Sequence, residues 1–490
     1  MRPLRLGLLF LAAAALTAVT ALWGINPHDE GLALQQAARV MDGDLPYRDF
    51  YCNYGPGQPY LLGLLDSALG PSLLTWRIVR VLLDATVALL AYVLARRHAS
   101  EPLALGAWLA VAAAMAFPTI PSPNPAAIAL GLGSILLARR SAVGAGLLAG
   151  LSMAFRIDVG LAAALGACLA AAAEGGRWRA LVAAGTSAVV GAVLMAPFVI
   201  ASPSDWWEQT LGFGLGKQDL QRLPLPGAWD GGFEPNKILW FYFPYVLIGG
   251  LALWAAAALA ERAPLRDWAP LPLALAGLGY LLARADEFHY IPLAVVLPVL
   301  LAVAAERSWR RGHRWPAAAL AAVIALIALY GLDRKRVQLF ESPRLAAIDV
   351  DVADGVRAPV AEARAIEELV PYVRERVPPG EPVFVANPRH DLVKVGNPLV
   401  YVLVQRPNPT RYDVFQPGVI TEAPAQREVV SALERTRTRL VIRWLDPVAS
   451  APEPNGAGVP SGVHILDRYL ERNYRPERRF GDYEVLRRAS

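Results

Sequence analysis

Apolar residues in this chain fall into long runs separated by short polar breaks. The runs are Leu4–Trp23, Trp76–Ala95, Leu103–Phe117, Pro125–Ala138, Val143–Phe155, Val159–Ala173, Leu181–Ile200, Ile238–Leu259, Leu271–Ala283, Ile291–Ala305 and Pro316–Leu332. They predict a polytopic α-helical membrane protein of about 11 transmembrane helices, several of them shorter than the ~20 residues of a full crossing. From about Ser342 the pattern becomes that of a soluble α/β domain. Helical periodicity over Ala361–Val377 stops at Pro378-Pro379-Gly380, Pro382–Ala386 reads as a buried strand, and Ala425–Arg435 as a helix feeding the strand Leu440–Arg443. A loop rich in Pro and Gly (Pro447–Gly462), a helix over Val463–Asn473 and a strand near Tyr483–Leu486 follow. That alternation predicts a small, mostly parallel sheet of three or four strands. The expected division is 1–340 for the membrane domain, with 25–75 as its first external loop, and 341–490 for the α/β domain.

The first external loop is patterned too regularly for a plain connector. Leu32, Ala33, Ala37, Val40 and Met41 recur at helical spacing, opposite Gln35, Gln36 and Arg39. This predicts a short amphipathic helix lying on the membrane surface. After the turn Gly43-Asp44-Leu45-Pro46, an aromatic run of Tyr47, Phe50, Tyr51 and Tyr54 closes on Gly55-Pro56-Gly57, and a second apolar helix follows from Tyr60 to Leu69. Interfacial anchoring by an aromatic belt is the plain alternative account.

Composition agrees: 55% of the 490 residues are hydrophobic and only 18% charged, which excludes an ordinary soluble protein. The net charge of +5 resides in loop arginines and gives no support to nucleic-acid binding. Arg96-Arg97, Arg139-Arg140, Arg177 with Arg179, Arg262 with Arg266, and Arg307, Arg310, Arg311 and Arg314 fall on alternate sides of successive runs. With Arg2 and Arg5 they mark the cytoplasmic face. Ile25–Thr75, Pro118–Asn124, Arg156-Ile157-Asp158, Ala201–Lys237, Arg284–Tyr290 and the chain after Asp333 are then extracytoplasmic. The N-terminal run lacks a good cleavage site and is expected to remain as the first helix. Cys52 lies in a loop and Cys168 in an apolar run, so neither a disulfide nor a cysteine metal cluster is expected.

Polar groups gather on the external side. His28-Asp29-Glu30 follows the first run directly, where carboxylates are costly unless solvated or employed. Capping of the surface helix that begins near Gly31 is a plain role for Asp29. Arg156-Ile157-Asp158 is wedged between two runs, as a simple ion pair across a turn would be. Arg284-Ala285-Asp286-Glu287-Phe288-His289-Tyr290 places five polar groups where a tight turn needs none. Arg77 and Arg80, with Asp84 one turn below Arg80, read as a structural pair at a helix entrance. The arginine fork suits phosphate oxygens, and a carboxylate beside it can take a proton from an attacking hydroxyl. Together these groups suit transfer from a lipid phosphate to an alcohol. The C-terminal domain shows no phosphate loop or nucleophile elbow and is expected to cap the membrane site.

Asp29-Glu30 after the first helix, the surface helix, Gly43-Asp44-Leu45-Pro46-Tyr47, Tyr54-Gly55-Pro56 and Arg77 resemble the GT-C superfamily of multi-span glycosyltransferases. The nearest branch holds protein O-mannosyltransferases, aminoarabinose transferases of lipid A and rhizobial galacturonosyltransferases. Arg284-x-Asp286-x-x-His289, Gly396-Asn397-Pro398-Leu399-Val400-Tyr401 and Arg406-Pro407-Asn408-Pro409-Thr410-Arg411-Tyr412 are similar to that branch as well. The Lys-Pro-Pro of many aminoarabinose-type enzymes is Tyr54-Gly55-Pro56 here, so the donor sugar is not implied.

The resemblance implies inverting transfer from a polyprenyl-phosphate sugar to a hydroxyl of a lipid, glycan or protein. The site would face outward from a bacterial inner membrane. Asp29 would be the general base and Glu30 its support; Arg77, Arg156 and Arg284 would hold the donor phosphate. Asp158, Asp286, His289 and Tyr54 would complete the donor site. Adjacent Asp29 and Glu30 suit a hard divalent cation, although no ligand spacing requires one. A transporter or flippase for lipid-linked sugars is the main rival; it predicts charges inside helices and an internal repeat, and neither is visible in the pattern. An O-antigen ligase or polymerase is a second rival, and a membrane-anchored binding protein a third.

Overall fold

The computed structural model describes residues 3–115 and 122–489. Its membrane part comprises α1 (Pro3–Ala18), α2 (Asp29–Met41), α3 (Gly57–Leu69), α4 (Leu73–Arg96), α5 (Glu101–Ala114), α6 (Asn124–Leu137), α7 (Ala142–Phe155) and α8 (Ile157–Ala201). The short α9 (Pro203–Trp207) and α10 (Phe213–Gly216) precede α11 (Pro235–Ala260), α12 (Leu271–Ala283), α13 (Glu287–Arg310) and α14 (Arg314–Phe340). Each expected apolar run falls on one of these helices, and α8 carries two, broken at Gly175-Gly176 where Gly176 has φ 73°. Helices α4, α8, α11, α13 and α14 are long and apolar enough to cross a membrane unaided. The others are shorter, so the helix assignments hold while a count of 11 full crossings does not follow from them. Residues 118–121 of the expected external loop, and Arg2, lie outside the described residues.

Charge divides the bundle into two ends. Arg96, Arg97, Arg266, Arg307, Arg310 and Arg311 line one cavity of about 540 Å³. The 24 residues of α13 separate Arg310 from the α12–α13 turn by about 36 Å of helix. At that other end lie the first loop, the α7–α8 junction and the C-terminal domain.

The C-terminal part holds a two-stranded ladder, β1 (Leu345–Ala347) with β2 (Arg357–Pro359), and then α15 (Val360–Arg376). After β3 (Phe384–Ala386) come α16 (Leu399–Val404), α17 (Ala423–Thr436), β4 (Leu440–Trp444), α18 (Ile465–Asn473), β5 (Tyr474–Phe480) and β6 (Tyr483–Arg488). The main sheet has the order β3-β4-β6-β5, and only β3–β4 is parallel. The mostly parallel sheet expected from the helix–strand alternation is thus corrected. Strand β5 escaped notice because it reads Tyr-Arg-Pro-Glu-Arg-Arg-Phe. Its charges and Pro476 suit an edge strand and show no apolar alternation.

Helix α2 also departs from expectation. It does not rest on the membrane surface with a wet polar face; Gln35, Gln36 and Arg39 are buried. The C-terminal domain covers that face. A Cβ on Gly31 would lie 2.1 Å from the Leu399 backbone nitrogen, so only glycine allows the contact. Arg39 then pairs with Asp413 at 2.8 Å and Asp44 at 2.9 Å, and donates to the Thr410 carbonyl. The Arg406–Tyr412 stretch therefore serves as a clamp: Asn408 fixes Asp413, and Arg411 reaches the Tyr47 carbonyl and Asp205.

Candidate active site

The two carboxylates that open α2 have opposite surroundings. Glu30 is wholly buried and receives both Nε and Nη2 of Arg77, at 2.7 and 2.9 Å. Arg77 donates further to the carbonyls of Ala21 and Gly24, tying the segment after α1 to α4. Both Glu30 oxygens accept from Arg77, and neither residue lines the cavities described below, so nothing in this geometry supports Glu30 as a partner of the base or Arg77 as a phosphate ligand. The Glu30 carboxylate, paired with Arg77, does not line the cavity that Asp29 lines. Asp29 points the other way. Asn26 performs the capping expected of it, taking the Asp29 backbone N–H on its Oδ1 at 2.8 Å, and the Asp29 carboxylate lines a cavity.

At the α7–α8 junction, Arg156 meets Asp158 through two bonds of 2.9 and 2.5 Å and donates to Asn124 Oδ1 at 3.0 Å. Its guanidinium lies 4.1 Å from the ring centre of Tyr280 and 5.4 Å from that of Tyr54, a cation–π arrangement. The two tyrosine hydroxyls are 3.1 Å apart. Gly55 brings Tyr54 here: a Cβ on it would meet the Ala154 carbonyl at 2.1 Å. The glycine that displaces the aminoarabinose-type Lys-Pro-Pro thus docks the first loop on α7.

At the α12–α13 turn, Asp286 caps α13 through the backbone N–H groups of Phe288 and His289 and also holds His289 Nδ1 at 2.6 Å. Burial would raise the Asp286 carboxyl, but His289 and Arg284 bring it below its ordinary value. Arg284 spans three partners: Asp286 at 2.5 Å, the Gln221 carbonyl at 2.9 Å and Glu453 of the C-terminal domain at 2.8 Å. Lys394 shares Glu453 at 2.8 Å.

Two adjoining cavities result. The larger, about 500 Å³, is lined by Arg156, Asp158, Tyr280 and the small residues Ala276, Gly279 and Ala283 of α12. The smaller, about 200 Å³, is lined by His28, Asp29 and Asp286 with Lys394, Gln416 and Glu453. Asn53, Tyr54, Gln221, Arg284 and His289 belong to both. Asp29, Tyr54, Arg156, Asp158, Arg284, Asp286 and His289 are therefore brought together, while Glu30 and Arg77 are not. Asn53, Gln221, Lys394, Gln416 and Glu453 were missed; each sits in a loop without periodicity, and Asn53 hides inside the aromatic run.

A second charged group lies deeper. Arg80 pairs with Asp84 at 2.7 Å, both 1% exposed. Lys335 of α14 is buried beside them and bonds to Thr20. Charges inside helices, which the sequence pattern did not display, are thus present. They line none of the cavities described here. Among the described residues, Asp391, His464 and Asp467 alone converge as metal ligands would, with ligand atoms within 4.8 Å. Asp391 is already engaged by Arg389, and Asp467 by His390.

No protein-family model matches the chain, and no curated protein matches it in sequence. The fold does match solved structures. ArnT from Cupriavidus metallidurans bound to undecaprenyl phosphate superposes with a TM-score of 0.55 at 14% identity, over 99% of this chain and 98% of that one. Its apo state gives 0.55 at 14% identity over 98% and 97%. The Archaeoglobus fulgidus oligosaccharyltransferase aligns over 90% of this chain and 68% of its own, at 13% identity and a TM-score of 0.47. The chain thus shares the overall fold of the ArnT structures, an apolar helical bundle with five helices long enough to cross a membrane and a C-terminal sheet domain.

Proposed function

We propose that this GT-C-fold chain is a membrane glycosyltransferase that moves a sugar from a polyprenyl-phosphate donor to a hydroxyl acceptor, with Asp29 as general base. The observation that carries this reading is the position of Asp29. It lines a polar cavity whose wall of Tyr54, Arg284 and His289 is shared with a larger cavity. The larger cavity continues along Gly279 and Ala283 into a third of about 310 Å³ beside Arg222. Small residues there leave room for a prenyl chain between helices. The undecaprenyl phosphate bound by ArnT supports a lipid-phosphate donor for the shared fold.

In the proposed step, the acceptor hydroxyl gives its proton to Asp29 while its oxygen bonds to the anomeric carbon from the face opposite the phosphate. The carbon–phosphate oxygen bond breaks, inverting the centre, and polyprenyl phosphate leaves. Arg284 and Arg156 would exchange carboxylate partners for phosphate oxygens as that charge develops. His289, held by Asp286, and Tyr54 would position the sugar and phosphate. By the positive-inside rule the arginine-lined end would face the cytoplasm, and the site and the C-terminal domain would then lie outside a bacterial inner membrane.

Purified protein supplied with polyprenyl-phosphate sugars and hydroxyl acceptors should transfer sugar, and Asp29→Asn should lower the rate by about 10²–10⁴-fold. Undiminished transfer by the Asn variant would remove Asp29 from the mechanism. The buried Arg80–Asp84–Lys335 group keeps a flippase as the second reading. That protein would move labelled polyprenyl-phosphate sugar across liposomes with no acceptor present.

A further inference from the structure

Three residues that line the smaller cavity each carry one buried side-chain atom without a hydrogen-bond partner: His28 Nδ1, Asn53 Oδ1 and Gln416 Nε2. Gln416 is 8% exposed, so bulk water does not satisfy it. Such orphaned buried groups mark a place where something else completes the bonding. Their polarities are mixed. Burial lowers the His28 imidazole below its ordinary value, and the Gly396 carbonyl engages it. A neutral ring that donates through Nε2 leaves Nδ1 as an acceptor. Asn53 offers a second acceptor, and Gln416 a donor.

The charge around the cavity narrows the ligand further. Arg284 and Lys394 both already bond Glu453, and Arg284 also bonds Asp286. In the proposed step Arg284 turns to the donor phosphate, Lys394 stays on Glu453, and Asp29 adds a further carboxylate, so this wall keeps no cation for an acidic acceptor group. About 200 Å³ gives room for one ring rather than a chain of them. A small, uncharged molecule with several hydroxyls, each able to donate and accept, meets all these conditions.

We propose that this chamber is the subsite for one neutral sugar ring of the acceptor, its reacting hydroxyl at Asp29 and its other hydroxyls bonded by Gln416, Asn53 and His28. This rests on the glycosyltransfer reading and narrows the acceptor to a glycan or glycolipid ending in an uncharged sugar. It also gives the C-terminal domain a specificity-determining residue, Gln416, in addition to its role as a cap.

The test uses the full-length protein in nanodiscs with methyl hexosides and pentosides, methyl uronides and a threonine peptide as acceptors. Saturation-transfer NMR without donor reads binding alone. The wild type should bind and glycosylate a neutral methyl glycoside in preference to the uronide and the peptide. Gln416→Leu should raise the KM for that glycoside about 3- to 10-fold, leaving kcat and the donor KM nearly unchanged. Gln416→Lys, which adds a cation, should instead improve transfer to the uronide. Preference of the wild type for uronide or peptide, or an unchanged glycoside KM in Gln416→Leu, overturns the subsite and leaves the transferase reading standing. Donor-free binding of a neutral glycoside that weakens in Gln416→Leu, with no transfer from any donor, supports the chamber and overturns the transferase reading.

Discussion

Two groups of charged side chains lie close together at one end of the bundle, and they differ in what surrounds them. Glu30–Arg77 and Arg80–Asp84 with Lys335 are buried on α2, α4 and α14 and line none of the cavities described above. Asp29, Arg284, Asp286 and His289 use the same chemical types, yet they border open space that two domains enclose. A sealed pair contributes to the fold chiefly because removing one partner strands the other. A bordering group can exchange its partner for a ligand. The contrast is sharpest at the Asp29-Glu30 peptide bond, where adjacent carboxylates on a helix start face in different directions because consecutive helical residues do not share a face.

The largest effect expected from this comparison separates those two residues. Asp29→Asn should lower transfer by about 10²–10⁴-fold and leave the unfolding midpoint in detergent unchanged. Glu30→Gln should do the reverse. Stranding buried Arg77 costs about 3–5 kcal/mol, read as a fall in unfolding free energy, with transfer per folded molecule retained. Replacing both partners, Glu30→Met with Arg77→Leu, should recover most of that loss. If Glu30→Gln abolishes transfer while stability is intact, the division between sealed and open groups fails at the position where it was drawn.

Much of this arrangement was legible from residue order, for a physical reason. Lipid exposes apolar runs so plainly that all the helices expected from them are found, and arginines gather in one cavity at one end of the bundle. Asp29, Arg156, Arg284 and His289 were legible because a charged residue at a helix end in lipid is expensive. What their neighbours do was not. Glu30 and Arg77 carry the same expense and settle it on each other, a pairing 47 residues apart that no local pattern encodes. Gln35, Gln36 and Arg39 read as a wet face because periodicity shows which side is polar, not which domain covers it. Lys394, Gln416 and Glu453 come from loops whose positions depend wholly on how the C-terminal domain docks.

That docking supplies an intermediate effect. Arg39 is buried between Asp44 and Asp413. Asp413→Asn keeps the shape of the side chain but removes its charge. Asp44 and the Thr410 carbonyl remain, so the loss should be about 1–3 kcal/mol, smaller than at Glu30. Limited proteolysis should release the C-terminal domain sooner in the variant. Transfer should fall with it, because the smaller cavity needs both domains. Unchanged protease resistance would mean that the clamp is not what holds the two together.

The smallest expected effect lies on the open side of the comparison, at Glu453. Burial by itself would raise this carboxyl, but hydrogen bonds from Arg284, Lys394 and Asn455 outweigh it and hold the group down at about 2, from an ordinary 4.5. A depressed carboxylate contributes stability that is fully present above its unfolded value and is lost as pH falls through its folded one. The tie between the C-terminal domain and the α12–α13 turn should therefore weaken between about pH 4.5 and 2. Glu453→Gln should flatten the stability profile in that window and hardly alter it at pH 7 to 8 beyond a constant offset. The change stays small because Arg284 keeps Asp286 at 2.5 Å when Glu453 is neutral. A profile equally steep in the variant would assign the acid loss to Asp286, whose carboxyl is also lowered by Arg284 and His289, and would leave Glu453 a wall of the cavity and not a tie between the domains.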